Sequence, residues 1–526
     1  MVDPAVPAGE GTDGPLPAVA PLAEDADVGD GGALDGFHPL QAIVSLGAIQ
    51  VLAMLSGIAR VKVLAVLLGP SGVGVAGVID TVVSLVVQVG SLSIPFAALK
   101  FIARGHSRTG GEVARLHLAF TKALTISVCV ATTIAIGIVF TRPALLGDAL
   151  VTHQAAVLAA LAGVPAIALG TMLRNVLAAL GGHRESALVG LAAAVALVAA
   201  SYLGVRTAGL PGLFIGNLAV AVLTVVITQL YLGRRFGLPA FSLHVRALDA
   251  FRAEREFFRF AGSMYVLAMT SPLTYLVSRS FILERSGAAA AGFLFAGYNV
   301  GLSVRTVLNQ ANGLYLTPLV NRESPVAQRA AASAEYMRIL LVLFVLSALP
   351  LALFPQQVVA LLYESKFAPA SALIGVFVLA EGALLLAGVY QTLLIGVDDT
   401  FGFLGCTVSG HLSTLALTAP FAARWGPLGV GLAFACGNGV ILVTSTALLV
   451  ARHRLRETLR PTLVVGLGVL VMASCAWAVV AFPHVPYTLR VAAYAVAGAA
   501  MLGVLTSEER RWLLNPVLSM FHRARR

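Results

Sequence analysis

The chain has 526 residues, of which 58% are hydrophobic and 11% are charged, and its mean hydropathy is +0.90. No soluble domain of this size could bury so much apolar surface, so the composition predicts an all-α polytopic membrane protein. It excludes a β-barrel, because the apolar runs are longer than the roughly 10-residue alternating strands of such barrels. The formal net charge of +10 comes largely from arginines that flank apolar spans, so it does not indicate nucleic-acid binding.

The chain begins with an acidic segment. Residues 1–37 are rich in Gly, Pro and Ala, and they carry eight acidic residues without any Lys or Arg. This composition predicts a disordered tail. The segment lacks the basic region of a signal peptide, so no cleavage is expected.

About fourteen candidate membrane spans follow the tail, since stretches of roughly 20 apolar residues suffice to cross a bilayer. Their expected bounds are 40–68, 72–100, 114–140, 151–180, 185–205, 211–232, 257–284, 288–318, 336–360, 370–396, 402–423, 428–450, 461–482 and 488–507. An even number of spans puts both termini on one side. The loops and tail of that side would hold 24 of the 35 Lys and Arg residues. The positive-inside rule therefore predicts cytoplasmic termini.

The longest internal connection, from Gly233 to Arg259, divides the spans into two groups of six and a final pair. It contains the basic amphipathic segment FRAEREFFRF, which is expected to lie on the inner membrane surface. The two lobes would be pseudo-symmetric about an axis along the membrane normal. The expected divisions are an acidic cytoplasmic tail, an N-terminal lobe, a cytoplasmic amphipathic linker, a C-terminal lobe, and two extra helices with a basic tail, at 1–37, 38–233, 234–256, 257–450 and 451–526.

Two opposite charges lie inside the first two spans. Arg60 and Asp80 each stand roughly 8 residues from the turn at Gly69–Gly72, which places both about 12 Å deep. At that depth the two charges can neutralise each other. Beyond Asp80, polar residues continue along one face of the helix, and such a stripe faces protein or a water-filled cavity.

Span eight carries a second polar face. Arg305, Asn309 and Asn312 follow one another at helical spacing, and Arg305 lies close to mid-membrane. A charge that faced lipid there would cost about 3 kcal/mol or more. Both lobes are therefore expected to turn polar helices toward a cavity between them.

The cations Arg60, Lys62, Arg279 and Arg305 would make this cavity suitable for a phosphate or pyrophosphate, because guanidinium groups donate in a fork and remain charged. For Arg60 and Arg305, the alternative is a structural ion pair or a helix–helix hydrogen bond. Lys62 is about 200° round the helix from Arg60, so it can instead snorkel outward. Arg279 is nearer the outer interface, and both readings stay open for it.

Asp80 and Glu381 are the carboxylates expected to tune this charge or to couple transport to an ion, the alternative being a paired structural charge. No histidine or cysteine occurs at metal-ligand spacing, and no serine lies in a nucleophile elbow. The sequence therefore predicts a non-enzyme with no catalytic residue, metal or cofactor.

The segment KVLAVLLGPSGVGVAGVIDTVVSLVVQVGSLSIPFAALKFIAR resembles the first two helices of bacterial polysaccharide flippases. These are the O-antigen-type lipid-linked oligosaccharide flippases of the multidrug/oligosaccharidyl-lipid/polysaccharide exporter superfamily. The segment WGPLGVGLA, from Trp425 to Ala433, is similar to the turn before the twelfth helix of that family. The residues of the first segment that fit the family pattern are Lys62, Gly69, Pro70, Gly72, Gly74, Lys100 and Arg104.

The resemblance implies a flippase that moves undecaprenyl-pyrophosphate-linked oligosaccharide from the inner to the outer leaflet of the bacterial plasma (inner) membrane. Transport would proceed by alternating access and serve O-antigen or other surface-polysaccharide biosynthesis. The pyrophosphate would occupy the cationic cavity, while the polyprenyl tail stays in lipid. The implied partners are the lipid-linked glycan, membrane lipids, a polysaccharide polymerase and a chain-length regulator, and not nucleic acid.

Other functions remain open. A cation-coupled drug or small-molecule antiporter of the same superfamily would depend on buried carboxylates. A lipid II flippase would share the fourteen helices, whereas many O-antigen-type relatives have twelve, but its arginine- and aspartate-rich pattern in the first two helices is not matched. A non-transporting membrane scaffold would not need paired polar faces on spans two and eight.

Overall fold

The computed structural model describes residues 39–104, 110–142, 148–239, 256–312, 316–320, 325–482 and 484–505. The expected acidic tail, most of the amphipathic linker and the basic C-terminal tail lie outside these residues. The α-helices are α1 Pro39–Ser91, α2 Ile94–Arg104, α3 Gly110–Thr141, α4 Asp148–Val151, α5 Gln154–Ala162, α6 Val164–Ala179, α7 His183–Phe236, α8 Glu256–Ala311, α9 Thr317–Val320, α10 Val326–Leu353, α11 Pro355–Leu362, α12 Ser371–Gly396, α13 Thr400–Trp425, α14 Pro427–Ala451, α15 Leu459–Ala481 and α16 Tyr487–Val504.

Within the described residues, nine helices are long and apolar enough to cross a membrane. Three of them, α1, α7 and α8, contain a non-helical glycine at Gly69, Gly209 and Gly287 respectively, where the chain turns back. Each of these three helical hairpins makes two passes. The helices α13 and α16 are also long enough for one pass each. Counted in this way, the described chain makes fourteen passes, which confirms the predicted all-α polytopic architecture.

Glycine followed by proline marks two of the turns between passes. Gly69 has φ 63° and precedes Pro70, and Gly426 has φ 57° and precedes Pro427. A residue with a Cβ is strained at such angles, whereas glycine is not, and proline favours the first position of the next helix. The turn predicted at Gly426, between the eleventh and twelfth passes, is confirmed. We call the end of the bundle that carries Gly69 and Gly287 the turn end.

The hairpins α1 and α8 form the centre of the molecule. The most extensive packing between two elements joins α1 to α8. Helix α1 also packs on α3 and α7, while α8 packs on α12, α13 and α14. The first lobe is therefore built around α1 and the second around α8, and the two hairpins form the interface between the lobes.

The two C-terminal helices extend the second lobe. Helix α15 packs on α10 and α12, and α16 packs on α10. Arg490 on α16 is buried and donates to the Leu353 carbonyl at 3.1 Å, while the Tyr494 hydroxyl donates to the Leu346 carbonyl at 3.1 Å. These bonds satisfy carbonyls near the end of α10, so α16 closes the edge of the lobe.

Several predicted spans differ from the observed helices, and spans two and nine are examples. Span two is interrupted at Leu92 and Ser93, which have φ values of 47° and 58°, so that α2 begins separately at Ile94. Span nine begins near Val326 instead of 336. The first turns of this helix contain charged residues, which lower the local hydropathy. One of them, Arg329, donates hydrogen bonds to backbone carbonyls at the ends of α9 and α12.

Two adjacent aspartates in the loop between α12 and α13 have different surroundings. Asp398 is exposed, but Asp399 is buried and caps α13 by accepting the Gly402 amide at 2.9 Å. Asp399 also accepts hydrogen bonds from Arg452 and His453, which follow α14. Burial alone would raise the pKa of Asp399, but the bonds from His453 and the Gly402 amide, with the Arg452 charge, lower it below the ordinary 3.8.

We expect Asp399→Asn to lower the free energy of unfolding by about 1–3 kcal/mol, because Arg452 and His453 lose a charged acceptor. The lowered pKa of Asp399 means that its contribution is present above the ordinary value and is lost as the pH falls through the lowered one. Thermal unfolding in detergent at pH 7 would measure the difference. Asp398→Asn is the matched control, since this exposed residue has φ 59°, which asparagine tolerates. Equal stability of the two variants would contradict the role of Asp399.

Candidate functional site

Arg60 lies on α1, nine residues before the turn at Gly69, and its guanidinium binds both halves of α7. Its Nε donates to Ser201 Oγ at 2.9 Å, and its Nη2 donates to Asn217 Oδ1 at 3.0 Å. Ser201 and Asn217 stand on opposite sides of the Gly209 turn. The direct hydrogen-bond partners of this half-buried arginine are therefore neutral, and within the described residues it forms no ion pair with a carboxylate within 4 Å.

Asp80 lies at the corresponding depth on the other half of α1 and is half-buried. Among the described residues, it makes no ion pair with Arg60 within 4 Å, so the expected neutralisation is not a direct contact. The Asp80 carboxylate is attracted by two positive charges, Arg60 in its own lobe and Arg279 in the other. Asp80 thus interacts electrostatically with two of the predicted cavity cations.

Arg305 and Glu381 form an ion pair within the second lobe. Arg305 Nε, on α8, donates to Glu381 Oε2, on α12, and the Tyr275 hydroxyl donates to Glu381 Oε1 at 3.2 Å. The Glu381 side chain is 1% exposed, whereas that of Arg305 is 25% exposed. The carboxylate lies behind the guanidinium, so an incoming ligand would meet Arg305 first. Sequence reasoning left open whether these charges are paired.

An aromatic layer adjoins this ion pair through Tyr275, and the sequence analysis did not predict it. The Tyr275 ring stacks on Phe434 with centroids 4.8 Å apart and an interplanar angle of 14°, and it contacts the Tyr298 ring at 4.8 Å. Tyr298 in turn meets the edge of Phe377. The only available signal was two tyrosines on facing halves of one hairpin, because the other two rings come from α12 and α14.

Arg279 is buried in the interface between the lobes and is not open to a cavity. Its Nη1 donates to Thr81 Oγ1 at 2.6 Å and to the Gly77 carbonyl at 3.3 Å, both on α1. Its guanidinium carbon lies 4.8 Å from the Tyr298 ring centroid and 5.2 Å from that of Phe295. Cation–π contacts of this kind stabilise a desolvated arginine. Arg279 therefore joins α8 to α1.

Lys62 makes a hydrogen bond to the second lobe. Its side chain is exposed, and its Nζ donates to the Leu361 carbonyl at 2.8 Å. Leu361 belongs to the short helix α11 of the second lobe. Lys62 and Arg60 thus point to different surroundings, as the angle between them on the helix predicts.

The two asparagines of span eight bind each other and a tyrosine. Asn312 Nδ2 donates to Asn309 Oδ1 at 3.0 Å, and the Tyr336 hydroxyl donates to Asn312 Oδ1 at 2.7 Å. Asn312 is buried and Asn309 is exposed. Only Asn309 and Arg305 of this helix face are therefore accessible to a ligand.

The described residues include no group of three or more His, Cys, Asp or Glu that could hold a metal ion. An apolar groove of about 730 Å³ lies between α1 and α7, and its lining includes Leu55, Val195 and Tyr202. None of the predicted cavity residues lines this groove. The polar residues instead form two centres, one around Arg60 in the first lobe and one around Arg305 in the second.

Two six-pass lobes that meet through kinked hairpins, followed by two extra helices, define a class of polytopic helical fold. Among solved structures, the lipid II flippase MurJ in an inward closed conformation is similar to the chain with a TM-score of 0.63 and 12% identity, over 90% of this chain and 100% of that one. An inward-facing MATE-family multidrug resistance transporter of the MOP superfamily has a TM-score of 0.63 and 15% identity, over 78% and 96%.

A MOP-superfamily transporter from Pyrococcus furiosus, described as having a binding pocket of reversed polarity, has a TM-score of 0.57 and 16% identity, over 82% and 99%. No family model and no curated protein matches the sequence. At these identities the likeness shows the fold. The two-lobed architecture expected from the sequence is therefore the fold of solved membrane transporters.

We expect Arg305→Leu to lower the stability by about 3–5 kcal/mol, because it leaves the buried Glu381 carboxylate with Tyr275 alone. Glu381→Leu should lower the stability by a smaller amount, since the Arg305 side chain is partly exposed and can be hydrated. The double variant should be more stable than the sum of the single effects predicts. Thermal unfolding in detergent gives all three values, with the exposed Arg285→Leu as control. Strictly additive effects would show that the ion pair contributes nothing.

Proposed function

We propose that the protein is a flippase that moves undecaprenyl-pyrophosphate-linked oligosaccharide from the inner to the outer leaflet of the bacterial plasma membrane by alternating access. The resemblance of the first two helices and of the segment at Trp425 supports this substrate class. The fold, which is shared with a lipid II flippase and with multidrug transporters, supports transport instead of catalysis. A polysaccharide polymerase and a chain-length regulator would be its partners.

The observation that carries this proposal is that the direct hydrogen-bond partners of Arg60 are neutral side chains. A guanidinium inside the membrane is costly, yet within the part of the chain that the structure describes this one donates directly to two neutral oxygen atoms, on Ser201 and Asn217. Its remaining charge can attract an anion, and a pyrophosphate offers oxygens that match the forked donors. Ser201 and Asn217 hold the guanidinium in position from one side and leave its half-buried edge for a ligand.

Arg305 would provide the second cation from the other lobe. Its partial exposure, in front of the buried Glu381, lets an anion reach it without displacing the carboxylate from its site. Exposed Asn309, one turn further along α8, would offer an amide to the glycan. One cation from each lobe would allow the substrate to bind both lobes at once.

We propose the orientation that the loop charges favour, with both termini in the cytoplasm of the bacterial cell. The turn end of the bundle, with Gly69 and Gly287, then faces the outside. With the expected lobe bounds of 38–233 and 257–450, each lobe would hold six passes, so both lobes would begin on the cytoplasmic side and have the same orientation.

A cation-coupled antiporter is the second candidate, and the buried carboxylate of Glu381 favours it. Such transporters need an acidic group inside the membrane, and Glu381 is fully buried between Arg305 and Tyr275. In our proposal this group tunes the charge of Arg305 instead. The lipid II flippase is the third candidate, supported by the similarity of the fold to MurJ.

Complementation separates the three candidates. The chain would be expressed in a strain that lacks its own undecaprenyl-linked O-unit flippase, in a strain depleted of its lipid II flippase, and in a drug-sensitive strain without efflux pumps. Surface glycan in the first strain alone supports the proposal. Rescue of growth in the second, or drug resistance in the third, would replace it with the corresponding alternative.

We expect Arg60→Gln to reduce surface glycan at least about tenfold in the complemented strain, because glutamine can bind Ser201 and Asn217 but carries no charge for the pyrophosphate. Arg60→Lys should retain part of the activity, since it keeps the charge and loses the forked donors. Arg206→Gln, an exposed position on α7, is the matched control. Full activity of Arg60→Gln at equal membrane expression would remove Arg60 from the binding site.

A further inference from the structure

The two lobes touch backbone to backbone at the turn end. A Cβ added to Gly74 on α1 would overlap the carbonyl oxygen of Ala288, and one added to Gly292 on α8 would overlap that of Pro70. Small residues at such crossings permit close helix approach. Because the contact runs in both directions, the closure formed by Pro70–Gly74 and Ala288–Gly292 cannot tolerate a methyl group at Gly74 or at Gly292.

About one helical turn deeper, Arg279 makes hydrogen bonds across the interface between the lobes. It reaches from the first half of α8 to Gly77 and Thr81 on the second half of α1, which lie just beyond the glycine contact. Phe295, which packs directly over Gly77, also lies under the guanidinium. Arg279 therefore bonds across the interface between the lobes at the depth where the hairpins begin to separate.

Lys62 adds a bond at the same end. It donates from the first half of α1 to the Leu361 carbonyl of α11, which packs against the second lobe. Two of the four cations expected in the cavity thus lie instead at contacts between the lobes. The third and fourth, Arg60 and Arg305, each bind within their own lobe.

We propose that Arg279 is a latch that holds the turn end closed and must release Thr81 and Gly77 when the protein opens toward that side. This inference rests on the proposed alternating access, but not on the identity of the substrate. Opening separates Gly74 from Ala288 and leaves Arg279 with the rings of its own hairpin, Tyr298 and Phe295. Those rings keep the desolvated guanidinium stabilised while it is unbonded.

The latch is joined to the substrate centre of the second lobe through Tyr275. Its hydroxyl donates to Glu381, which is paired with Arg305, and its ring lies 5.5 Å from the Arg279 guanidinium carbon. An anion that draws Arg305 away from Glu381 leaves the Glu381 carboxylate bonded to Tyr275 without its cation, and the Tyr275 ring contacts Arg279. Binding at Arg305 is therefore coupled to the interface between the lobes through contiguous contacts.

The test measures the distance across the turn end in the full chain without substrate. Spin labels would be attached to Ser71→Cys and Ser286→Cys, two exposed residues beside Gly69 and Gly287, after replacement of the four unpaired native cysteines. Electron–electron double resonance in nanodiscs then gives the ratio of open to closed populations. Closed hairpins give a short distance, and an opened turn end gives a long one.

We expect Arg279→Gln to raise the open-to-closed ratio at least about tenfold, and Thr81→Val, which removes one acceptor without altering charge, to raise it by a smaller factor. Gly292→Ala should remove the short distance, because its methyl group cannot fit beside Pro70. The matched controls are Arg285→Gln, on the same helix, and Gly405→Ala, where a Cβ meets nothing within 4 Å.

Distance distributions unchanged in Arg279→Gln, Thr81→Val and Gly292→Ala would overturn the latch, as would equal shifts in the two controls. Thr81→Val keeps the test decisive if the arginine variant does not fold. Because no substrate is present, the result is independent of the complementation assays. Failure of complementation with the expected distance changes would refute glycan transport and leave the latch in place.

Discussion

A charged or hydrogen-bonding group that enters hydrocarbon must find its partner within the protein, and the structure is arranged around this constraint. The backbone meets it by forming helices almost throughout the described residues. The intramembrane arginines meet it in three different ways. Arg60 binds neutral side chains, Arg305 binds a buried carboxylate, and Arg279 binds a backbone carbonyl, a hydroxyl and aromatic faces. The three arginines therefore differ in the chemical nature of the groups that stabilise them.

Besides forming turns, glycine allows neighbouring passes of this fold to approach each other closely. Where Gly410 meets Gly437, and where Gly204 meets Gly212, a Cβ would overlap backbone or side chain of the facing pass. Lipid provides no hydrophobic drive for helices to associate, so close backbone approach has to supply the contact energy through dispersion. The interface between the lobes uses the same contact at Gly74 and Gly292, so a joint that the proposed transport would open can also pack tightly.

The sequence anticipated much of the fold because the signals for it are local. The turns at Gly69 and Gly426 follow from glycine and proline chemistry, and the passes follow from hydropathy summed over about 20 residues. The same summation failed at the start of α10, where Arg329 lowers the hydropathy while it bonds the ends of two other helices. Hydropathy also gives no sign that Asp399 is buried, because its partners Arg452 and His453 lie in another loop.

The sequence by itself determined that this is a helical membrane protein, how often it crosses the membrane, and which residues carry charge inside it. The tertiary structure alone decided what those charges do. Helix periodicity places Arg60, Arg279 and Arg305 at a depth and on a face, but a hydrogen-bond partner depends on how helices distant in sequence are rotated and crossed. Ser201 and Asn217 come within reach of Arg60 only because α7 folds back beside α1, and that packing is set by contacts along the whole length of both hairpins.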